Sequence, residues 1–240
     1  MTAQKKTAII VGVLYIIGTV GGMLSVAFTQ SALADSEYLG RVAANANPIV
    51  AGTLSWLTMG LALAMVPVVL YPVLRRHNHV LALGYVVFRG ALEPTAYLLM
   101  AASRLLLILV SQQYSVAAAP DAAHLQALGS FVLRSHDAIN PILIIVFSLG
   151  ALMLYTMFYR SRLIPRWISV WGFFAIVLHF STAFLLLFDL VSPDDSTTLM
   201  IVNFPIFLQE MVMAVWLIVK GFDRSAMANL SGSQEENVRA

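Results

Sequence analysis

Six long apolar stretches, separated by short polar segments, constrain this chain more than any other feature of its sequence. The hydrocarbon core of a bilayer is about 30 Å thick, and an α-helix needs about 20 apolar residues to cross it. The pattern therefore predicts six transmembrane helices, packed as an all-α polytopic membrane helix bundle. The predicted spans cover residues 8–28, 48–74, 80–110, 126–159, 167–190 and 198–219.

The composition agrees with lipid as the main solvent of the chain. Of the 240 residues, 60% are hydrophobic and 11% are charged, whereas soluble domains are about 45–50% apolar and about 25% charged. We expect residues 1–222 to form a single six-helix transmembrane domain and residues 223–240 to form a flexible polar cytoplasmic tail. The absence of cysteine excludes disulfides, thiolate metal sites and thiol nucleophiles.

The basic residues predict the orientation of the bundle. With six spans, one side carries Lys5, Lys6, Arg75, Arg76, Arg160, Arg162, Arg166, Lys220, Arg224 and Arg239. The loops of the other side carry Arg41 with Asp35, Glu37, Asp121, Asp194 and Asp195. Because cytoplasmic loops are enriched in Lys and Arg, both termini are predicted to be cytoplasmic. The basic residues follow the helix ends and form no groove-binding patch, so no nucleic-acid partner is expected.

The first apolar stretch has two interpretations. Lys5 and Lys6 followed by an apolar run, with Ala32-Leu33-Ala34 as a cleavage site, resemble a signal peptide. The run is longer than the roughly 7–15 residues typical of a signal peptide. It also carries the small residues Gly18 and Gly22, which favour close helix packing in membranes. We favour a retained first transmembrane helix.

Charged side chains inside the apolar stretches are the candidates for function. Arg89 and Glu93 lie one helical turn apart on the third span, and Pro94 follows directly. At ~1.5 Å per residue, these two and the other polar residues of the later spans lie about 12–20 Å from an end of their spans. Charges at that depth are expensive unless they face one another or a polar cavity. The predicted buried polar cluster contains Arg89, Glu93, Arg134, His136, Asp137, Asn140, His179, Asn203, Gln209 and Glu210.

Prolines accompany the three acids of this cluster. Pro94 follows Glu93, Pro141 comes four residues after Asp137, and Pro205 comes five before Glu210. A proline within a helix frees the carbonyl four residues earlier and tends to kink the helix. Such irregular backbone is tolerated at membrane depth where it faces protein or a wet cavity, so the pattern favours a polar pocket.

Three functional interpretations remain open. The first is a non-enzymatic bundle whose midplane cavity binds or passes a small solute or a proton. The second is an intramembrane hydrolase of a lipid-like substrate, with His136, His179 and nearby acids on a metal ion. The third is a structural or assembly protein whose buried ion pairs serve packing alone. No HExxH, GxSxG, GxxxxGK[ST] or GxGxxG motif occurs, and no cofactor is expected.

Several motifs resemble one family over most of the chain. The motifs are Tyr71-Pro-Val-Leu-Arg-Arg-His-Asn78, Leu81–Arg89 with Glu93, His136-Asp137, Tyr159–Ser169 with Trp171-Gly172, Gln209-Glu-Met211 and Ala214–Phe222. They are similar to a bacterial membrane-protein family labelled as domain of unknown function 4386. The resemblance, from about Thr7 to Phe222, implies a multi-pass protein of the bacterial inner membrane. It implies no activity, although it includes Arg89, Glu93, His136, Asp137 and Glu210.

Overall fold

The computed structural model describes residues 2–34, 36–193 and 195–230, with backbone alone at Ala119 and Ser196. Its described part is helical and without strands, and six of its helices are long and apolar enough to cross a membrane. The elements are α1 (Ala3–Leu33), α2 (Tyr38–Ala44), α3 (Asn47–Leu74), α4 (His79–Val87), a π-helical turn (Phe88–Leu92), α5 (Glu93–Val116), α6 (Ala119–Ser161), α7 (Arg166–Leu187) and α8 (Ser196–Val219). Helix α4, the π turn and α5 run on as one long helix. The predicted all-α bundle with six long apolar helices is therefore confirmed.

Helix α1 holds the bundle together by changing its partner along its length. Near its start, Gly12 packs against the Ala214 carbonyl of α8. Further along, Gly18 meets Leu63 of α3, and Gly21 meets the Ser55 carbonyl. A side chain at any of these glycines would overlap the facing helix, which is the packing role that the small residues predicted.

The two ends of the described chain meet at one end of the bundle. The Lys5 ammonium donates hydrogen bonds to the carbonyls of Ile218, at 2.9 Å, and Val219, at 2.7 Å. These carbonyls end α8, and a cation there satisfies free acceptors and complements the helix dipole. We call this the basic end, since Arg75, Arg160, Arg162, Arg166 and Lys220 also lie in the turns and helix ends there. Asp35, Asp194 and Arg239, which the charge argument used, lie outside the described residues.

The main apolar core lies toward the basic end. It contains Tyr15 of α1, Leu70 of α3, Tyr85 of α4, Tyr155 of α6 and Met213 of α8, each at most 1% exposed. Burial of such large side chains against several helices fixes the relative positions of the helices that carry the polar residues.

The start of the expected flexible tail differs from the prediction. Residues 224–230 are helical, and Ala226, Met227 and Leu230 pack into the main core. Asp223 caps this segment by accepting from the Ala226 amide at 2.9 Å, while its own amide donates to the Leu163 carbonyl. The apolar residues at three- and four-residue spacing explain the packing, because they form one helical face. The remaining tail, 231–240, lies outside the described residues.

Candidate functional site

The long helix from His79 to Val116 changes its hydrogen bonding where its two charges lie. Pro94 has no N–H and its ring disfavours the normal bond to the Gly90 carbonyl. The π turn at Phe88–Leu92 absorbs this disruption, and the Glu93 amide bonds to the Phe88 carbonyl instead. A π turn has one more residue within each hydrogen-bonded loop than an α-helical turn, and such turns occur often at functional sites. The turn begins one residue before Arg89 and ends one residue before Glu93.

Arg89 lies between two carboxylates in the interior of the bundle. Its Nη1 donates to Glu93 Oε1 at 2.9 Å and lies 2.9 Å from Oε2 of the same group. Its Nη2 lies 3.5 Å from Oε1 of Glu210 on α8. Arg89 is 1% and Glu93 0% exposed. The structure thus brings these three predicted residues together.

Neighbouring residues hold this cluster in place. The Tyr97 hydroxyl donates to Glu93 Oε1 at 3.1 Å, one turn further along α5. The Phe147 ring centroid lies 4.2 Å from the Arg89 guanidinium carbon, a favourable cation–π geometry. Gly150 leaves room for the arginine stem, since a Cβ there would lie 2.5 Å from Arg89 Cγ. We call Arg89, Glu93, Tyr97, Phe147 and Glu210 the central cluster.

The central cluster contains one more carboxylate than cation. Glu93 receives two contacts from Arg89 and a third from Tyr97. Glu210 has the longer 3.5 Å contact with Arg89, and its side chain is 14% exposed. Arg89 Nε and Nη2 have no hydrogen-bond partner within the described residues. Arg89 and Glu210 can therefore each form a further hydrogen bond or ion pair.

A cavity of about 300 Å³ opens beside Glu210. All six long helices contribute to its wall, which includes Tyr97, Asn140, Phe147, His179, Asn203 and Glu210. Met23 of α1 and Phe207 of α8 also line it and are 63% and 41% exposed. We call it the central cavity, and these exposed residues show that it reaches the bundle surface between α1 and α8.

His179 and Asn203 form the second polar pair of the central cavity. The Asn203 Nδ2 donates to the Leu199 carbonyl at 2.7 Å, so its Oδ1 is the atom that accepts from His179 Nδ1 at 2.5 Å. This geometry assigns the proton of a neutral His179 to Nδ1 and leaves Nε2 as an acceptor. The Phe147 ring packs edge-on against the imidazole at 4.9 Å.

Gln209 has a different surrounding from its neighbour Glu210. It is fully buried, accepts from the Tyr155 hydroxyl at 2.8 Å, and donates to the Ile168 carbonyl at 3.1 Å. Both of its hydrogen bonds link α8 to α6 and α7. The predicted residue Gln209 is thus a bridge between helices and does not line the central cavity.

His136 and Asp137 lie outside the central cluster, although the Trp56 ring beside His136 also packs edge-on against Tyr97, with ring centroids 5.5 Å apart. They lie with Arg104, whose Nη1 donates to Ser25 Oγ at 2.8 Å and whose Nη2 lies 3.5 Å from His136 Nε2. The Trp56 ring lies 5.1 Å below the Arg104 guanidinium. We call Ser25, Trp56, Arg104, His136 and Asp137 the distal cluster. Arg104 follows Arg89 by fifteen positions along the helix, about 22 Å at ~1.5 Å per residue.

The depth predicted for three residues of α6 stays a prediction, and the helix is longer than that prediction assumed. The prediction placed Arg134, His136 and Asp137 at the level of Arg89 by counting from residue 126, but α6 begins at Ala119 and has 43 residues. Such a helix is about 64 Å long, twice what a bilayer core requires, so equal counts do not mean equal depths. Arg134 is exposed and lies outside both clusters.

The donors considered for a metal ion do not converge. His179 contacts Asn203 in the central cavity, whereas His136 contacts Arg104 in the distal cluster. Within the described ranges, no group of three His, Asp or Glu side chains lies close enough to hold a metal ion.

Sequence reasoning missed several residues of these sites. Tyr97 could have been found from its position four residues after Glu93, on the same helical face. Arg104 lies near the far end of the third predicted span, where an arginine can extend toward the membrane surface, but it turns inward to Ser25 and Trp56. The packing of Phe147 and Gly150 around Arg89 depends on the position of α6 and has no local sequence pattern.

The fold and the buried charges together indicate the class of this protein. An all-α bundle of six long apolar helices around a buried ionic cluster is compatible with an integral, multi-pass membrane protein. The chain belongs to the family described as Domain of unknown function (DUF4386), whose profile matches residues 10–221. No curated protein and no solved structure is significantly similar to it.

Proposed function

We propose that the central cavity binds or passes a proton or a small solute of positive charge, with Glu210 as the binding carboxylate. The observation that carries this proposal is the position of Glu210, the excess acid of the central cluster, in the wall of a cavity of about 300 Å³. The proposed role is not enzymatic.

The charge balance supports a positively charged ligand. One guanidinium faces two carboxylates, and Glu93 already has close contacts with Arg89 and Tyr97. A buried carboxylate without full compensation is costly, and a proton or cation that neutralises it is stabilised there.

The remaining polar groups supply further positions for a ligand. Asn140 and Asn203 line the same cavity, and His179 Nε2 is an acceptor in the neutral form assigned above. A chain of Glu210, His179 and Asn203 resembles the acid and imidazole sets that carry protons in membrane proteins.

The replacement Glu210→Gln tests this proposal, with Glu37→Gln as the matched control at the end of the bundle opposite the basic end. All carboxyl groups gain protons as pH falls, so the test compares pH-difference infrared spectra. The spectra of wild type and of the control should share one protonated-carboxyl band beyond those of the solvent-exposed acids. Glu210→Gln should lose that signal, together with any proton uptake by proteoliposomes under an imposed potential. A well-folded Glu210→Gln protein with unchanged spectra and uptake would favour the third interpretation, ion pairs that serve packing alone.

We further propose that the protein resides in a bacterial cytoplasmic (inner) membrane, with the basic end in the cytoplasm. The distribution of Lys and Arg supports this orientation. Because the chain has no cysteine, single-cysteine labelling is direct. Ala228→Cys at the basic end and Ala118→Cys at the opposite end are both exposed. In intact cells, an impermeant maleimide should label Ala118→Cys alone, and the reverse pattern would contradict the orientation.

A further inference from the structure

Two neighbouring cavities at the basic end share Trp216 and Lys220. The first, of about 730 Å³, lies between the turn after α6, the end of α8 and the segment that follows α8. The second, of about 390 Å³, is an apolar groove along α8 that includes Met211, Val215 and Val219. A polar cavity thus continues into an apolar one at the end of a membrane-length helix. We call them the basic pocket and the α8 groove.

The basic pocket carries four cations and one acid. Its wall includes Arg162, Arg166, Lys220, Arg224 and Asp223. Asp223 is occupied by capping the segment 224–230, because it accepts from the Ser225 hydroxyl and the Ala226 amide, and these bonds lower its pKa. Within the described residues, none of the four basic side chains forms an ion pair. The pocket is therefore strongly positive.

Arg162 occupies a backbone position that is unfavourable for it. Its φ is +58° and its ψ is +23°, the left-handed region in which helices usually end on glycine. A residue other than glycine is strained in this conformation, because its Cβ lies too close to the following carbonyl oxygen. The presence of a cation at a position suited to glycine fits a role for its charge in the basic pocket.

The α8 groove has the opposite character. Val215 and Val219 are 54% and 64% exposed, so its apolar wall is open to the surroundings of the bundle. Where the α8 groove meets the basic pocket, Trp216 packs edge-on against Trp167 with ring centroids 6.5 Å apart. Tryptophans of this kind favour the level of lipid headgroups.

We propose that the basic pocket and the α8 groove together bind one anionic phospholipid. The phosphate lies among Arg162, Lys220 and Arg224, and one acyl chain lies along Met211, Val215 and Val219. Charge complementarity supports the headgroup position, and continuity through Trp216 supports the position of the chain. Basic pockets beside membrane helices bind such headgroups, whereas a soluble phosphate compound has no use for the groove.

Native mass spectrometry of the full chain in a neutral detergent tests this site, with dioleoylphosphatidylglycerol as the probe. We expect one saturable lipid adduct, no comparable adduct with dioleoylphosphatidylcholine, and no competition by glycerol phosphate. Arg162→Gly should weaken binding about fivefold, since each Lys or Arg near anionic lipid contributes ~1 kcal/mol. Glycine suits the left-handed backbone there, so this variant should fold at least as well as wild type.

Two controls separate this site from general attraction of lipid to positive charge. Arg75→Gln removes one exposed charge at the same end but outside the pocket, and it should leave binding unchanged. Val215→Trp fills the α8 groove without changing charge and should weaken binding, whereas Val170→Trp, at a similarly exposed position on α7, should not. Equal losses from Arg75→Gln and Arg162→Gly would overturn the proposal. Equal binding of phosphatidylcholine, competition by glycerol phosphate, or indifference to Val215→Trp would do the same.

Discussion

Arg89 and Arg104 lie on the same long helix and have similar partners in different surroundings. Each guanidinium packs over an aromatic ring, Phe147 at 4.2 Å and Trp56 at 5.1 Å. Arg89 is 1% exposed and has Glu93 at 2.9 Å, whereas Arg104 is half-buried and its closest polar contact is the Ser25 hydroxyl. The acid of the distal cluster, Asp137, has a side chain that is 45% exposed.

The difference shows that burial decides how completely an arginine must be paired. A charge removed from all solvent needs a close counter-ion, because the loss of solvation is otherwise larger than any packing gain. A half-buried charge keeps part of its solvation and can be held by a hydroxyl and a ring. The central cluster should therefore respond far more strongly than the distal cluster to equivalent substitutions.

The largest expected effect is that of Arg89→Met. It leaves Glu93 and Glu210 without their cation, and breaking a buried pair costs about 3–5 kcal/mol. Unfolding in mild detergent, followed by circular dichroism, measures the loss. Arg89→Met combined with Glu93→Met should lose less than Arg89→Met alone, because a well-packed apolar pair replaces a broken ionic one. An equal loss in both variants would contradict this view of the central cluster.

Gly150→Ala should have the next largest effect. The new methyl group would lie 2.5 Å from Arg89 Cγ and 3.2 Å from Phe88 Cβ, so the arginine stem must shift. Overpacking of this kind costs about 1–3 kcal/mol. Gly40→Ala is the control, because no atom lies within 4 Å of its added Cβ. A neutral Gly150→Ala would show that Arg89 is held less tightly than its contacts indicate.

Arg104→Met should cost less, about 1 kcal/mol, which is typical of a partly exposed cation–π contact with one hydrogen bond. Arg104→Lys retains the charge but loses the planar group over Trp56. Its free energy of unfolding should therefore lie between those of Arg104→Met and wild type. The same unfolding measurement applies. A loss as large as that of Arg89→Met would remove the distinction between the two clusters.

Asp195 is a fully exposed reference for the two clusters, with the smallest expected effect. It accepts from the Thr198 amide at 3.1 Å, and hydrogen bonds from Thr198 lower its pKa in the folded protein. Its contribution to stability is therefore complete above the pKa of the unfolded state and is lost as pH falls through the lowered pKa. Asp195→Asn keeps a helix cap without a titrating group, so its unfolding midpoint should vary less with acid pH than that of wild type. A similar acid dependence in both proteins would contradict this assignment.

The sequence predicts the helices of this fold well because its apolar runs are long and its loops are short. Their ends are less certain, as α1 extends from Ala3 to Leu33 although residues 8–28 were expected. A span is recognised by hydrophobicity, whereas a helix continues as long as its backbone bonds can be formed, including outside lipid. The same cause explains the unexpected length of α6.

Polar contacts within one helix could be predicted from the sequence, whereas contacts between helices could not. Arg89 and Glu93 could be paired from spacing alone, because residues four apart share a helical face. Glu210 joins them from a separate helix, which spacing cannot show, although counting from the helix end gave a comparable depth. A count from residue 126 does not fix the depth of His136, because α6 has 43 residues and is about 64 Å long. Arg104 gave no signal in the sequence, because an arginine near the end of a predicted span can extend to the membrane surface.

The contact of Lys5 with the last carbonyls of α8 also bears on the biogenesis of this protein. The two partners are 213 positions apart, so α1 leaves the ribosome long before the acceptors at Ile218 and Val219 exist. Until then α1 has α3 as a partner but not α8, so α1 and α8 can pack together only once α8 has been synthesised. Contact with α8 therefore completes the packing of α1, and truncation within α8 should expose α1 to the quality-control proteases of the cell.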